Sequence, residues 1–391
     1  MAYFILLLLV YVAFTCLGLQ HSLLGAAWPS MYQGLNAQIS FAGIISMIIT
    51  GCIIISSIFC SKIAKKISTG ITCLIGFLLI ALALIGFSFS RSIMMLCLCA
   101  IPLGLGTGLE EVLLNDIVAR FYKLVHMNFL HCLWGVGATI GPIILVHMGN
   151  WNWGYRIISI IELCLVVVLF FSLPLWNKIT GKTIKEEEID HKSLSYLRLF
   201  KLKGVKYALA SFFFYCSIEA LVGLWGSSFV VIVKGIPKDT AANWVSLFFL
   251  GITFGRLVSG FLAFKLNNRW MIRLGQILIA LGIIFLVLPF GNTSLLIAFL
   301  MLGVGCGPIF PSLSHETPEN FGKEYSQDIM GMQVAFAFTG STVMPPLFGF
   351  IASHFNYGLL PVFLVSILII LIIVSEILNN KVKKNRMEIF V

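Results

Sequence analysis

Charge is what this 391-residue chain has least of: Asp, Glu, Lys and Arg make up 11% of it, against about a quarter in soluble domains. Acids are scarcer than bases, 16 against 26. With 59% hydrophobic residues and a mean hydropathy of +1.00, the chain cannot clothe a water-soluble surface. Long polar stretches are also missing: residues 177–206 are the longest, and with the last dozen they are too few for a soluble catalytic or signalling module. The ten cysteines contain no CxxC and no metal-ligand spacing. Their nearest pair is Cys97 and Cys99, and they read as small apolar residues in helix packing, not as a disulfide or metal framework. No nucleophile–base set is visible. HETPE at 315–319 lacks the second histidine of a zinc-protease helix. The chain is therefore not read as an enzyme, and no catalytic residue, cofactor or metal is expected. The first apolar run has neither a basic leading region nor a small-residue cleavage site, so it reads as a membrane helix, not a removed signal.

What is present is a succession of apolar runs about 20 residues long, the length that crosses a bilayer. They fall at roughly 4–27, 40–60, 69–89, 93–119, 125–147, 154–176, 207–233, 241–264, 271–290, 293–314, 328–351 and 356–379. Lipid offers no partner for backbone polar groups, so these runs must be helices. The net charge of +10 invites a nucleic-acid partner, but its distribution argues for a lipid one. With twelve spans, 21 basic residues fall on one side and 4 on the other (Arg91, Arg156, Lys234 and Lys238), with Arg256 inside a span. That asymmetry predicts both termini in the cytoplasm of a cell (plasma or inner) membrane and a basic face against anionic lipid, without nucleic acid.

The polar segment 177–206 divides the spans six and six, and weak internal repeats support that division. GLGTG (Gly104, Gly106, Gly108) matches GVGCG (Gly303, Gly305, Gly307). SIFCSKIAKK matches GFLAFKLNNR, with Lys62 over Lys265, and GATIGP at 137–142 matches GSTVMP at 340–345. FTCLGLQ lies over FYCSIEA, with Cys16 over Cys216. All four keep one order at nearly one shift. The expected fold is an all-α membrane protein with twelve transmembrane helices in two six-helix bundles, related by a pseudo-two-fold along the membrane normal. The bundles cover 1–176 and 207–379, with a cytoplasmic central loop at 177–206 and a cytoplasmic tail at 380–391. Parallel halves of this kind build one large class of transporters.

On these residues the chain resembles the major facilitator superfamily over its whole length, and within it the fucose permease group of sugar–proton symporters. GRLVSGFLAFKLNNR is similar to the superfamily's loop between the second and third helices of each half. GVGCGPIFPSLSHETPENF and NFLHCLWGVGATIGP resemble the sugar-permease group, and Glu111 followed by Asn115 matches its glutamate–asparagine spacing. The chain departs from the pattern in two places. SSIFCSKIAKK lacks the glycine and aspartate of that loop. Gly25 stands where the fucose permeases carry a proton-linked aspartate, with Gln20 and His21 nearby, which argues against fucose itself.

The candidate site residues follow from helical geometry. In GLGTGLEEVLLND, Gly104, Gly108, Glu111 and Asn115 share one face, while Glu110 points about 100° away. A carboxyl at bilayer depth costs a few kcal/mol, so Glu111 is expected to face a polar cavity and carry a proton, with Glu110 as its packing neighbour. Glu219, near the middle of the seventh span, is the second proton-coupling candidate. Asn128, His131 and Trp134 fall on roughly one face at three-residue steps. Amides suit a sugar's hydroxyls and an indole its apolar face. Gln20, Asn115, Asn128, His131, Trp134, Trp225 and Gln333 are the substrate-binding candidates. Lys62, Arg256, Lys265 and Arg269 are the gating candidates. Glu162 and Glu376 receive no role.

The resemblance implies a secondary transporter, expected to be monomeric, that moves a small-molecule substrate, a monosaccharide first, with protons by alternating access. Sodium coupling stays open. A second reading also stays open, in which GVGATIGP marks a proton-antiport exporter of drugs or metabolites.

Overall fold

The computed structural model describes residues 2–35, 37, 41–188 and 196–388. Residues 189–195 of the expected central loop and 389–391 of the expected tail lie outside the described residues. Among the described residues the chain is helical, without a strand. The helices are α1 (Ala2–His21), α2 (Leu23–Gly34), α3 (Phe41–Ile67), α4 (Thr69–Phe89), α5 (Ile93–Phe121), α6 (Leu124–His147), α7 (Trp151–Glu188), α8 (Tyr196–Lys201), α9 (Val205–Lys234), α10 (Lys238–Leu262), α11 (Asn268–Val287), α12 (Gly291–Cys306), α13 (Ile309–His315), α14 (Thr317–Phe321), α15 (Lys323–His354) and α16 (Leu360–Glu388). A 3₁₀ turn, Tyr357–Leu359, precedes α16.

Among the described residues, 11 helical stretches are long and apolar enough to cross a membrane. The expected span at 241–264 falls on α10, whose described apolar part, Ser246–Leu262, is shorter. Two expected spans are interrupted. The run at 4–27 becomes α1 and α2 at Ser22, whose hydroxyl donates sideways to the Ala138 carbonyl at 2.6 Å. The run at 293–314 becomes α12 and α13 at Gly307 and Pro308, because proline has no N–H with which to continue the ladder. α7 runs on for 38 residues, to Glu188, as the Lys- and Glu-rich start of the polar segment favours helix.

Contacts divide the chain into two compact units, one comprising Met1–Val118, Leu130–Ser193 and Glu324–Ala335, the other Ala119–Phe129, Leu194–Lys323 and Phe336–Val391. In the first unit α4 lies along α7. Phe77, Phe87, Tyr155 and Trp176 are fully buried there, and Phe87 stacks on Tyr155 with ring centroids 5.3 Å apart. In the second unit α10 and α11 both pack on α12, and α9 on α16, around Phe212, Tyr215, Phe248, Phe299 and Phe348.

The repeated glycines do the same job in each unit. Gly104 and Gly108 meet the α3 backbone at Ile49 and Ile53, and Gly106 meets the α4 backbone at Gly76. Correspondingly, Gly303 and Gly307 meet α10 at Phe248 and Gly255, and Gly305 meets α11 at Gly275. A methyl at any of these positions would collide with backbone, so one helix sits tight against two neighbours because its contact stripe has no side chains.

Candidate functional site

In the first unit the expected acid, amide and imidazole form one hydrogen-bonded chain. The Asn115 amide donates to the Glu111 backbone carbonyl at 2.7 Å and to Glu111 Oε1 at 3.3 Å. Its Oδ1 lies 2.9 Å from His131 Nε2, a bond carried from α5 to α6. Asn115 and His131 are buried while Glu111 is half-buried, so the chain runs from a shielded base to a more open acid. The edge of the Phe14 ring closes the other side of His131 at 5.1 Å. Gln20 reaches the same face of α5, donating to Thr107 Oγ1 at 3.2 Å. Thr107, four residues before Glu111 and buried, belongs to the Glu111–Asn115 stripe, and the four-residue step could have revealed it. Trp134 is half-buried, with the His21 ring 4.9 Å away edge-on.

Glu110 is separated from this chain as its position on the helix predicts. It is fully buried, and Oε2 accepts from the Cys73 thiol at 3.0 Å. Asn128 is clustered with the second unit. Its amide N–H donates to the Leu124 carbonyl at 3.1 Å, and its Oδ1 is buried without a hydrogen-bond partner. Gln333, on the segment of α15 clustered with the first unit, is buried.

In the second unit Glu219 is half-buried, and its Oε2 lies 2.6 Å from the Tyr215 hydroxyl. That hydroxyl is also 3.0 Å from the Cys306 carbonyl. Tyr215 sits one turn before Glu219, and a sequence read for hydrophobic periodicity counts it as core. A phenol has one proton to give, and here two acceptors face it. Arg256 is buried on α10, close enough for its charge to reach Tyr215. The Trp225 indole N–H is committed to the Pro345 carbonyl at 2.9 Å, and its ring contacts Phe348 and Tyr357.

Of the gating candidates, Lys62 is exposed over the Phe59 ring, Lys265 is exposed and Arg269 is half-buried. The ion pair in this part of the first unit belongs to Lys65, whose Nζ is 2.9 Å from Asp328 Oδ2. Beside it, Ser326 donates to Asp116 at 2.6 Å. Asp328 and Ser326 lie in an acidic stretch that suggested no role by sequence.

A family profile, the Major Facilitator Superfamily, matches residues 10–238 and 207–385. The chain belongs to the Major Facilitator Superfamily. Its fold is that of the E. coli fucose–proton symporter, with a TM-score of 0.77 at 16% identity over 97% of this chain and 99% of that one. The proton–xylose symporter superposes with a TM-score of 0.78 at 12% identity, over 96% and 95%. The human organic anion transporter MFSD10 gives 0.74 at 11%, over 95% and 98%. By sequence, a di-/tripeptide transporter of Lactococcus lactis subsp. lactis is 31% identical over 128 residues, 32% of this chain and 26% of its own length. The bypass of stop codon protein 6 of Saccharomyces cerevisiae is 22% identical over 281 residues, 64% of this chain and 56% of that protein. The chain thus spans about a quarter of the first relative and about half of the second.

Proposed function

We propose that this protein is a proton-coupled secondary transporter of a small polar solute, a monosaccharide first, working by alternating access. The observation that carries the reading is the Glu111–Asn115–His131 chain: a titratable acid and a titratable base, joined through one amide inside a membrane-embedded unit. Glu111 takes and releases the proton, and the amide and imidazole supply donors and acceptors for hydroxyl groups. Glu219, facing Tyr215, is the second proton-carrying group. The folds of two sugar–proton symporters support the substrate class. The matched glycine packing supports two six-helix halves, 1–176 and 207–379, related by a pseudo-two-fold. The one-sided Lys and Arg distribution supports cytoplasmic termini in a plasma or inner membrane.

Reconstitution with a pH dye in the vesicle lumen, and sugars added outside without an imposed gradient, tests this reading. Acidification with a sugar is expected. Glu111→Gln should abolish accumulation while sparing counterflow, and a variant that accumulates normally removes Glu111 from the mechanism. A second reading, transport of short peptides, rests on the Lactococcus relative and is read in the same vesicles with a dipeptide panel. Alkalinisation with an organic cation would instead mark a proton-antiport exporter.

A further inference from the structure

Away from the Glu111 chain, the first unit buries a second set of acids that the proposed transport cycle does not use. Glu110 on α5 and Glu162 on α7 are both 0% exposed. Both oxygens of Glu162 and Oε1 of Glu110 lack any hydrogen-bond partner, while Glu110 Oε2 holds the Cys73 thiol at 3.0 Å. α4, which carries Cys73, packs along α7. Gly76 on α4 leaves the space that the Glu110 carboxyl occupies, since a methyl there would overlap Oε1. Glu162 lies within electrostatic reach of Glu110. One and two turns along α7 from Glu162, Ser159 and Tyr155 continue the same face. Tyr155 is 1% exposed and its hydroxyl is also unpartnered. Spacings of four and three make this a polar stripe along a helix that otherwise buries aliphatic and aromatic residues.

The charge around the pair is one-sided. The titratable groups in reach are the Cys16, Cys60 and Cys73 thiols, with Asp116 further along α5. Among the described residues no Lys, Arg or His bears on either glutamate. Glu162 has neither cation nor donor and Glu110 has only the Cys73 thiol; an ionised carboxylate so placed, out of water, is too costly to keep, and such a group carries its proton instead. Two of them within reach of each other make two charges costlier still. A groove of about 480 Å³ between α1 and α7, lined by Leu9, Val12, Cys16, Ile161 and Leu165 among others, is almost wholly apolar, and neither glutamate lines it.

We propose that Glu110 and Glu162 form a proton-binding site inside the first unit, separate from the Glu111–Asn115–His131 chain, in which each glutamate holds one proton at neutral pH. Cys73 donates to the first acid, and Ser159 and Tyr155 lie along the α7 face that carries the second, the Ser159 hydroxyl donating to the Arg156 carbonyl at 2.7 Å.

Infrared spectroscopy of the full chain in lipid nanodiscs reads this directly, because the protonated-carboxyl stretch is distinct from the carboxylate bands. At neutral pH in potassium buffer, Glu110→Gln and Glu162→Gln should each remove one carboxylic acid's intensity. An unchanged band in either variant means that glutamate was ionised and overturns the proposal. A band that vanishes on exchanging potassium for sodium identifies a sodium site and overturns it as well. Should the variants not fold, the wild-type chain is treated with dicyclohexylcarbodiimide. The acid's proton passes to a carbodiimide nitrogen as its oxygen bonds the central carbon, a reaction closed to carboxylate. Peptide mass mapping should find adducts on Glu162 and Glu110. Both peptides recovered unmodified would overturn the assignment.

Discussion

Replacing Asn115 by alanine unties the acid from the base, and the size of the effect can be worked bond by bond. The 2.7 Å contact to the Glu111 backbone carbonyl duplicates a bond that the helix already makes, so its loss costs little. The 3.3 Å contact to Glu111 Oε1 is long, and its half-buried acceptor can turn to water. The 2.9 Å contact with His131 Nε2 is different. The His131 side chain is 3% exposed, so no solvent replaces the lost partner.

An unsatisfied buried polar group costs about 1–3 kcal/mol, while side-chain bonds between membrane helices average roughly 0.6 kcal/mol. A loss of about 1–2 kcal/mol is therefore expected for Asn115→Ala. If the same bond positions the site for substrate, binding should weaken by roughly 5- to 30-fold. Reversible unfolding in mixed micelles, run as a cycle with His131→Ala, isolates the pairwise term, expected at about 1 kcal/mol. A coupling below about 0.3 kcal/mol, the scatter of independent sites, would mean that the 2.9 Å bond contributes nothing and that the chain is not a unit. Asn128→Ala is the control. Its amide N–H returns to its own helix at Leu124, and it should cost less.

Three further predictions concern the frame. A methyl at Gly106 would land on the Gly76 carbonyl, so Gly106→Ala should cost about 1–3 kcal/mol as overpacking. Gly51, also in a helix but with nothing within 4 Å, should tolerate alanine or gain up to about 1 kcal/mol; melting both variants in detergent compares them. Ser68 sits at φ 88°, ψ 153° in the turn into α4, with its cap bond stretched to 3.4 Å. Backbone strain there is about 1–3 kcal/mol and the cap is worth a few tenths over glycine. Ser68→Gly should thus raise the melting temperature, and a fall would show the cap to dominate. Lys65 is 39% exposed, so Lys65→Asp or Asp328→Lys alone should change stability by about 1 kcal/mol or less. The swapped pair should recover it, and a double variant no better than the sum of the singles would show that the two charges do not interact.

What the sequence made legible, and what it hid, follows from the range of each interaction. Glu111 and Asn115 share a stripe because they step by four along one helix; Thr107, one further step of four back, was passed over. His131 stood out because an imidazole in an apolar run is conspicuous. Periodicity alone brings those features forward. Tyr215 was hidden by its dual nature: its ring packs in the core of the second unit while its hydroxyl faces Glu219, and a hydrophobicity scale registers only the ring. The ion pair of Lys65 and Asp328 joins residues 263 positions apart, a separation at which no local pattern operates. Glu162 shows the same limit with an acid. On the sequence it lies toward one end of a span and suggests no work, but α4 and α1 close over it, and its burial is a property of three helices, not of the one that carries it. Glu111 and Asn115 were legible because they are neighbours in space and on the helix alike, whereas the partners of His131, Gln20 and Trp225 lie on other helices. The acids whose partners, or lack of them, are set by packing between helices needed the fold, and there the chain keeps carboxyl groups without counter-charge. Whatever the substrate proves to be, proton occupancy in this protein is to be measured at more than one glutamate.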